Sequence, residues 1–335
     1  MTHVSVRRGM LYVIIAAAIW GTGGPAAALL YQVSGLGPLA VSFWRFVFGA
    51  LVLFAAARLP GLGGPRPAWA GLLTVGAGLA VSQAAYFAAV AVGGVAVATV
   101  VTLGTTPCLV ALGARFVLGE RLGRRGAAGM APALVGLALL AGGPSQVSVA
   151  GVGLALASAV AYSGITLHSR YTHADRASGP RTRPGDARGG RPPVIRADAC
   201  GEGPAIASEE APAGGSGSAA YGAAMWGFTV GGLLLLPVAA LEGLAPSGSG
   251  AASAVLLGYL GVAPTALAYS LFFTGLSAVR ATTASMVTLL EPAGATLIGV
   301  LLLGERLTPV AAVGAALMTC SVLLMAAAEP REGPR

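Results

Sequence analysis

The chain has 335 residues, of which 56% are hydrophobic and only 10% are charged, and its mean hydropathy is +0.79. Soluble domains carry about 25% charged residues, and a water-soluble fold has no core large enough to bury so much apolar surface. The composition therefore excludes a soluble protein and indicates one whose solvent is lipid.

Apolar runs recur along the whole chain. Each has roughly 17–25 residues, the length that a helix needs to cross about 30 Å of hydrocarbon. Transmembrane barrel strands would instead alternate in polarity, and the first run is longer than the apolar part of a cleaved signal peptide. The sequence thus predicts an all-α integral membrane protein with ten transmembrane helices. The predicted spans are 10–30, 37–57, 68–90, 95–118, 126–142, 149–169, 220–241, 251–275, 281–303 and 309–328.

The net charge of +8 comes from arginine, because the chain contains no lysine. If the N-terminus is cytoplasmic and the spans alternate, only Arg306 faces outward, and Arg45 lies deep within a span. All other arginines then face the cytoplasm, as the positive-inside rule requires. The positive charge therefore indicates the orientation of the chain in the membrane and not binding to nucleic acid. We expect a multi-pass plasma-membrane protein with both termini in the cytoplasm.

The chain contains an internal repeat. The tetrapeptide Gly-Glu-Arg-Leu at 119–122 recurs at 304–307, and Pro107 and Pro292 are separated by the same 185 positions. The repeats predicted from this offset are 10–142 and 149–328, each with five helices. An odd number of helices makes the second repeat enter the membrane from the opposite side. The fold class is therefore two inverted-topology five-helix repeats, an arrangement typical of secondary transporters.

These motifs resemble the EamA family of the drug/metabolite transporter superfamily. The residues that carry the resemblance are "FWRF" (43–46), "TTPCLVALGARFVLGERL" (105–122), "AYSLFF" (268–273) and "LLEPAGATLIGVLLLGERL" (289–307). The resemblance implies a ten-helix bundle with both termini in the cytoplasm. Relatives of this kind carry very different solutes, so it does not name one.

Residues 170–218 depart from that pattern. This segment is rich in Gly, Pro, Ala and Ser and contains seven arginines. Such a composition buries too little apolar area to order a chain. We therefore interpret it as a disordered cytoplasmic linker within the second repeat, with a regulatory or docking role as the alternative.

Two charged residues clearly lie inside predicted spans. At 1.5 Å per residue, Arg45 lies about 12 Å from one face and Glu291 about 15 Å from the other. A charge at a helix centre costs about 2.5–3.5 kcal/mol, so such residues face a cavity or each other. Two hypotheses stay open: a structural ion pair between Arg45 and Glu291, or charged groups that face the solute path.

Prolines and polar side chains extend the candidate site. Prolines inside spans free backbone polar groups, which a membrane tolerates where the backbone lines a cavity. A kink that only shapes packing is the alternative, and Tyr162 is equally well read as an interfacial anchor. The expected helix breaks are at Pro25, Pro107, Pro264 and Pro292. The further candidates for the substrate cavity are Trp20, Gln83, Tyr86, Tyr162, Thr265 and Tyr269.

The function predicted from these features is a secondary transporter, expected to be an exporter, of small organic metabolites or drugs by alternating access. Its partners would be the lipid bilayer, the solute and a coupling proton. We expect no cofactor and no metal, because the three cysteines and three histidines are too scattered to form a site. A membrane-embedded enzyme is disfavoured since no catalytic constellation appears. A structural or sensory membrane protein is the second alternative.

Overall fold

A computed structural model describes residues 4–58, 69–120, 124–140, 148–177, 216–303, 306 and 308–327. In these ranges every regular element is a helix, because lipid leaves backbone polar groups no partner outside the chain. Nine helical segments of the described chain are long and apolar enough to cross a membrane, and a tenth has a shorter apolar stretch, Ala128–Leu140. The predicted all-α integral membrane fold is confirmed.

The helices follow the ten predicted spans in order, and three of the spans contain more than one helical segment: the eighth, the ninth and the fourth, where a π-helical stretch, Ala114–Leu118, follows α4. The first five spans contain α1 to α5, and the second five contain α6 to α12. The bounds are α1 Val6–Ser34, α2 Pro38–Ala56, α3 Trp69–Gly93, α4 Val95–Gly113, α5 Arg124–Leu140, α6 Val149–Ala177, α7 Ser216–Glu242, α8 Gly250–Leu260, α9 Ala268–Leu276, α10 Ala281–Val287, α11 Leu290–Leu303 and α12 Pro309–Ala327.

The eighth span changes helix type at Pro264. A π-helical stretch, Gly261–Leu267, joins α8 to α9 and contains this proline. Pro264 has no amide hydrogen for the Leu260 carbonyl four residues earlier. The Thr265 hydroxyl donates to that carbonyl over 2.7 Å instead. Thr265 is thereby fixed in position by the irregular backbone.

The ninth span is divided into α10 and α11 by a turn at Thr288 and Leu289. Pro292 lies in the first turn of α11, where an amide hydrogen would have no partner within the helix. Glu291 is in the same first turn, at the helix end where the macrodipole favours a carboxylate. The interruption therefore precedes the proline and presents Glu291 at a helix N-terminus.

The other two prolines differ from the expectation. Both α1 and α4 run as continuous α-helices through Pro25 and Pro107. Around Pro107 the hydroxyls of Thr106 and Ser163 donate to the carbonyls of Thr102 and Thr106, over 2.7 and 3.3 Å. Such side-chain hydrogen bonds are one way in which membrane helices tolerate a proline without ending.

Helix packing follows the repeat. The first helix of the first repeat, α1, packs on α9 and α11, in the eighth and ninth spans. The first helix of the second repeat, α6, packs on α3 and α4, in the third and fourth spans. The second spans of the two repeats pair as α2 with α7, and the fifth spans as α5 with α12. Exchanging the repeats thus leaves the pattern unchanged, as a two-fold relation requires.

The crossing of α5 and α12 depends on glycine. A Cβ added to Gly136 would lie 2.6 Å from the Gly314 carbonyl oxygen and 2.6 Å from the Met318 nitrogen. Neither atom belongs to a flexible side chain, so the backbones approach as closely as their atoms allow. Small residues permit such packing where no hydrophobic effect drives membrane helices together.

The predicted linker is shorter than the sequence suggested. Helix α6 continues to Ala177 and α7 begins at Ser216, so both ends of the segment 170–218 are helical. The prediction of disorder is wrong at these ends. The physical reason at the first end is that Arg170 hydrogen-bonds to other parts of the bundle. Residues 178–215 lie outside the described part of the chain.

Candidate functional site

Arg45 is the centre of the polar contacts between α2 and the π-helical stretch. Its Nε donates to the Thr265 hydroxyl over 3.3 Å, and that hydroxyl donates to the Leu260 carbonyl. Thr265 is completely buried, whereas Arg45 is half-buried. None of the described residues accepts a hydrogen bond from the two terminal nitrogens of Arg45. The guanidinium is therefore held at its Nε edge.

An aromatic cluster packs behind this contact. The Trp20 indole N–H donates to the Pro264 carbonyl over 2.8 Å. The Trp20 ring lies 4.9 Å from the Tyr269 ring and 5.3 Å from the Phe272 ring, measured between centroids. Trp20 is 7% exposed and Tyr269 is 5% exposed. In this conformation Trp20, Thr265 and Tyr269 support the irregular backbone and do not present an accessible surface.

Glu291 is half-buried, and its carboxylate carries a charge of the opposite sign to that of Arg45. The two side chains attract each other electrostatically, yet they form no direct ion pair, although both belong to the described residues. The hypothesis of a structural ion pair between them is therefore not supported by this geometry. The Glu291 carboxylate receives no hydrogen bond from the described chain.

Close backbone packing fixes the position of Glu291 relative to α1. A Cβ added to Gly21 would lie 3.0 Å from the Glu291 carbonyl oxygen and 3.1 Å from the Ala295 nitrogen. Since Gly21 follows Trp20, the same turn of α1 contacts both the aromatic cluster and the start of α11. Arg45 and Glu291 are thus placed by one shared scaffold.

The remaining candidates lie farther out. Tyr162 is half-buried, and its ring centroid is 6.5 Å from that of Phe272. On α3, the Tyr86 hydroxyl shares a 3.0 Å hydrogen bond with the Thr99 hydroxyl. Gln83 Oε1 accepts only a long bond, 3.5 Å, from the Ser42 hydroxyl. Tyr86 and Tyr162 are near enough to Glu291 for electrostatic interaction.

Sequence reasoning missed Tyr31. This half-buried residue of α1 is near enough to Arg45, Glu242 and Tyr86 for electrostatic interaction. The predicted first span ended one residue before it, so it was not considered as a residue within the membrane. A longer first helix, as observed, would have included it.

A second polar centre joins α6, the end of the fourth span and the α9–α10 connection. Arg170 Nε lies 3.3 Å from Glu120 Oε1, and both side chains are nearly buried. The other carboxylate oxygen of Glu120 accepts the Ala281 N–H over 3.1 Å. Burial raises the pKa of the Glu120 carboxyl above its ordinary value, while Arg170 opposes this shift. The repeated Gly-Glu-Arg-Leu motif is a sequence signal for Glu120, whereas the composition of 170–218 places Arg170 in the predicted linker.

Gly119 explains the first residue of that motif. Its φ is 67°, a left-handed conformation that costs glycine little. The turn it makes ends the fourth span and lets the Glu120 N–H donate to the Ala114 carbonyl over 3.0 Å. Glu120 is thereby directed back into the bundle and away from the lipid boundary.

A carboxylate also caps a helix at the other end of the bundle. Glu242 Oε2 accepts the N–H groups of Leu39 and Ala40 at the start of α2, over 2.8 and 3.0 Å. The Trp44 indole donates to the Leu244 carbonyl over 2.9 Å. These bonds connect the first repeat to the second on the side opposite Glu120.

Comparison with known proteins agrees with the fold and the repeated motif. The profile of the EamA-like transporter family matches residues 7–142 and 215–327. The chain is 29% identical to the uncharacterized transporter YwfM of Bacillus subtilis over 329 residues, covering 96% of this chain and 94% of that protein. It is 26% identical to the uncharacterized inner membrane transporter YicL of Salmonella typhimurium over 334 residues, covering 96% of both chains.

A solved crystal structure shares the fold at 21% sequence identity. Its TM-score is 0.66, and the match covers 94% of this chain and 95% of the other. The family match covers well over half of the sequence, and both relatives are named as transporters. The resemblance and the predicted transport function are confirmed: this multi-pass membrane protein belongs to the EamA-like transporter family.

Proposed function

We propose that the chain exports small organic metabolites or drugs by alternating access, with Arg45 and Glu291 as the charged groups of the solute site. One observation carries this proposal. The two side chains are half-buried within membrane-spanning segments and attract each other, yet they do not form an ion pair. Each of them therefore keeps the capacity to bind a further group.

The solute group that suits Arg45 is a carboxylate. A guanidinium stays charged in a membrane and presents its N–H donors in a planar fork that matches carboxylate geometry. Thr265 occupies only Nε and holds the plane of the guanidinium in place. The terminal nitrogens are the ones that bind a carboxylate in two parallel hydrogen bonds.

Glu291 suits a proton or a cationic group of the solute. Its carboxylate has no hydrogen-bond donor in the described chain, and an isolated charge within the membrane is costly. Binding a proton removes that cost. A proton that binds Glu291 in one conformation and leaves in the other couples transport to a proton gradient, so the proposed coupling ion is a proton.

The proposed movement is a rocking of the two inverted five-helix repeats, 10–142 and 149–328, against each other. The exchange symmetry of helix packing supports this proposal. The arginine distribution supports a location in the plasma membrane with both termini in the cytoplasm. Transport in this proposal includes no enzymatic step.

The test is accumulation of radiolabelled solutes in proteoliposomes, with and without a proton gradient. The panel consists of amino acids, the carboxamide of each amino acid, nucleosides and cationic drugs. We expect a carboxylate to be preferred to its carboxamide, and Arg45→Gln to abolish this preference. Arg45→Lys keeps the charge but not the fork, so we expect it to retain part of the preference.

Two outcomes contradict the proposal at different points. If cationic drugs are transported and Arg45→Gln does not affect this transport, the chain is still a transporter, but Arg45 does not bind a carboxylate of the solute. A carboxylate preference that survives Arg45→Gln would place the anion site elsewhere. Inside-out and right-side-out vesicles, compared with the same solute, distinguish export from import.

A further inference from the structure

Helix α10 and the turn after it are packed differently from the matching part of the first repeat. Every residue of 281–289 is buried. With the repeat offset of 185, the described side chains of 97–104 occupy the matching positions, and of these only Ala98 and Thr102 are buried. Two segments that correspond in sequence position therefore lie in unlike surroundings.

The elements around α10 come from both repeats. Helix α10 contacts α1 and α4 of the first repeat and α6, α9 and α12 of the second. It lies at the end of the bundle where α1 begins and the fourth span ends. In the proposed orientation this is the cytoplasmic end. A fully buried segment between the repeats closes that end of any path between them.

Arg170 and Glu120 hold the start of α10 from two sides. Arg170 Nη1 donates to the carbonyls of Leu276 and Ser277, over 3.3 and 2.9 Å, just before α10. Glu120 accepts the N–H of Ala281, the first residue of α10, and also pairs with Arg170. The two side chains form a direct ion pair, with both nearly buried. It connects the first repeat, through Glu120, to the second.

We propose that Glu120 and Arg170 form a latch that holds α10 between the repeats and closes the cytoplasmic end of the solute path, and that it must open during each transport cycle. The structure then represents a state closed to the cytoplasm. The latch goes beyond the solute site at Arg45 and Glu291, and it depends on the proposed orientation of the chain.

The geometry predicts that the two partners cannot be exchanged. Glu120 must accept a backbone N–H, and Arg170 must donate to two carbonyls. The double variant Glu120→Arg with Arg170→Glu restores opposite charges, but it places each charge against backbone groups of the wrong polarity. An ion pair that acted only through its charges would tolerate the exchange.

The experiment measures access to α10 and requires no knowledge of the solute. The background has Cys108, Cys200 and Cys320 replaced by alanine and carries Ser285→Cys, at a completely buried position of α10. Inside-out vesicles expose the cytoplasmic face to a membrane-impermeant maleimide. The rate of labelling reports how often α10 leaves its position.

We expect Glu120→Gln and Arg170→Gln each to raise the labelling rate about tenfold or more, and tenfold corresponds to about 1.4 kcal/mol of closing free energy. The exchanged pair should label as fast as the single variants. Arg115→Gln is the matched control, because Arg115 is an exposed arginine near the same end, and its labelling should equal that of the background. Arg170→Lys, the mildest change, should label at an intermediate rate.

Labelling that stays at the background rate in Arg170→Lys and in the folded single variants would overturn the latch. Full protection in the exchanged pair would also overturn it, since charge alone would then suffice. If Glu120→Gln fails to fold, Arg170→Lys alone decides the result. A solute site that fails its own test leaves these labelling rates unaffected, so the two proposals fail separately.

Discussion

Replacing Thr265 by valine tests whether the π-helical stretch positions Arg45. Valine has nearly the same shape, so the completely buried site stays filled. The change removes the hydroxyl that accepts from Arg45 Nε and donates to the Leu260 carbonyl. Hydrogen bonds inside membrane proteins contribute about 0.6 kcal/mol on average and about 1.7 at most. The loss of two predicts a decrease of about 1 to 3 kcal/mol in the free energy of unfolding.

The assay is a double-mutant cycle on the purified protein, unfolded reversibly in mixed detergent micelles. The four proteins are the parent chain, Thr265→Val, Arg45→Met and the double variant. Methionine matches the arginine stem but donates no hydrogen bond. If the Arg45–Thr265 bond contributes to stability, Thr265→Val costs less in the Arg45→Met background. The expected coupling is about 0.5 kcal/mol or more.

Thr265→Ser is the control for this cycle. Serine keeps the hydroxyl and loses one methyl group, which costs about 0.8 kcal/mol at a buried position. We expect the serine variant to keep both the coupling to Arg45 and the carboxylate preference in transport. Additive effects of Thr265→Val and Arg45→Met, within about 0.3 kcal/mol, would refute the reasoning.

Three further predictions concern packing, the linker and topology. Gly136→Ala should lower the free energy of unfolding by about 1–3 kcal/mol through overpacking. Gly164→Ala, with no atom within 4 Å of the new Cβ, should not lower it. Equal stability of the two variants would contradict the close crossing of α5 and α12. Deleting 182–212 should leave insertion and transport largely intact, and a chain that no longer folds would show that this segment packs on the bundle. Ser178→Cys and Thr308→Cys should be labelled from opposite sides of the membrane, and labelling from one side would disprove the inverted repeat.

The sequence was informative where a residue type conflicts with its surroundings. Arg45 and Glu291 were identified because they are charged residues within apolar runs. A charge in the hydrocarbon region costs free energy, so it is expected only where it has a functional or structural role. The same argument marked the eighth and ninth spans, in which Pro264 lies in a π-helical stretch and Pro292 follows a turn between two α-helices. The same argument predicted helix breaks at Pro25 and Pro107, but both helices continue through the proline. Contacts with neighbouring helices determine whether a proline ends a helix.

Other features depended on contacts that composition does not reveal. Trp20 and Tyr269 are polar-tipped aromatic residues like Tyr86, but only the packed structure shows that the first two are nearly buried. Arg170 lies at the start of a segment rich in glycine, proline and arginine. The average composition of that segment did not indicate that the Arg170 side chain has several hydrogen-bond partners. Long-range hydrogen bonds of this kind leave no periodic signal in the sequence.

The most direct test of the account is the flux through Glu291→Gln in proteoliposomes, measured over a range of pH together with the folded yield. Because Glu291 forms no ion pair with Arg45, the variant should fold with normal yield. It should lose flux, or the dependence of flux on pH, because the group that binds the proton is gone. Glu242→Gln is the matched control, since its amide oxygen still accepts the N–H groups of α2. Normal yield with unchanged transport at every pH would contradict the central role of Glu291.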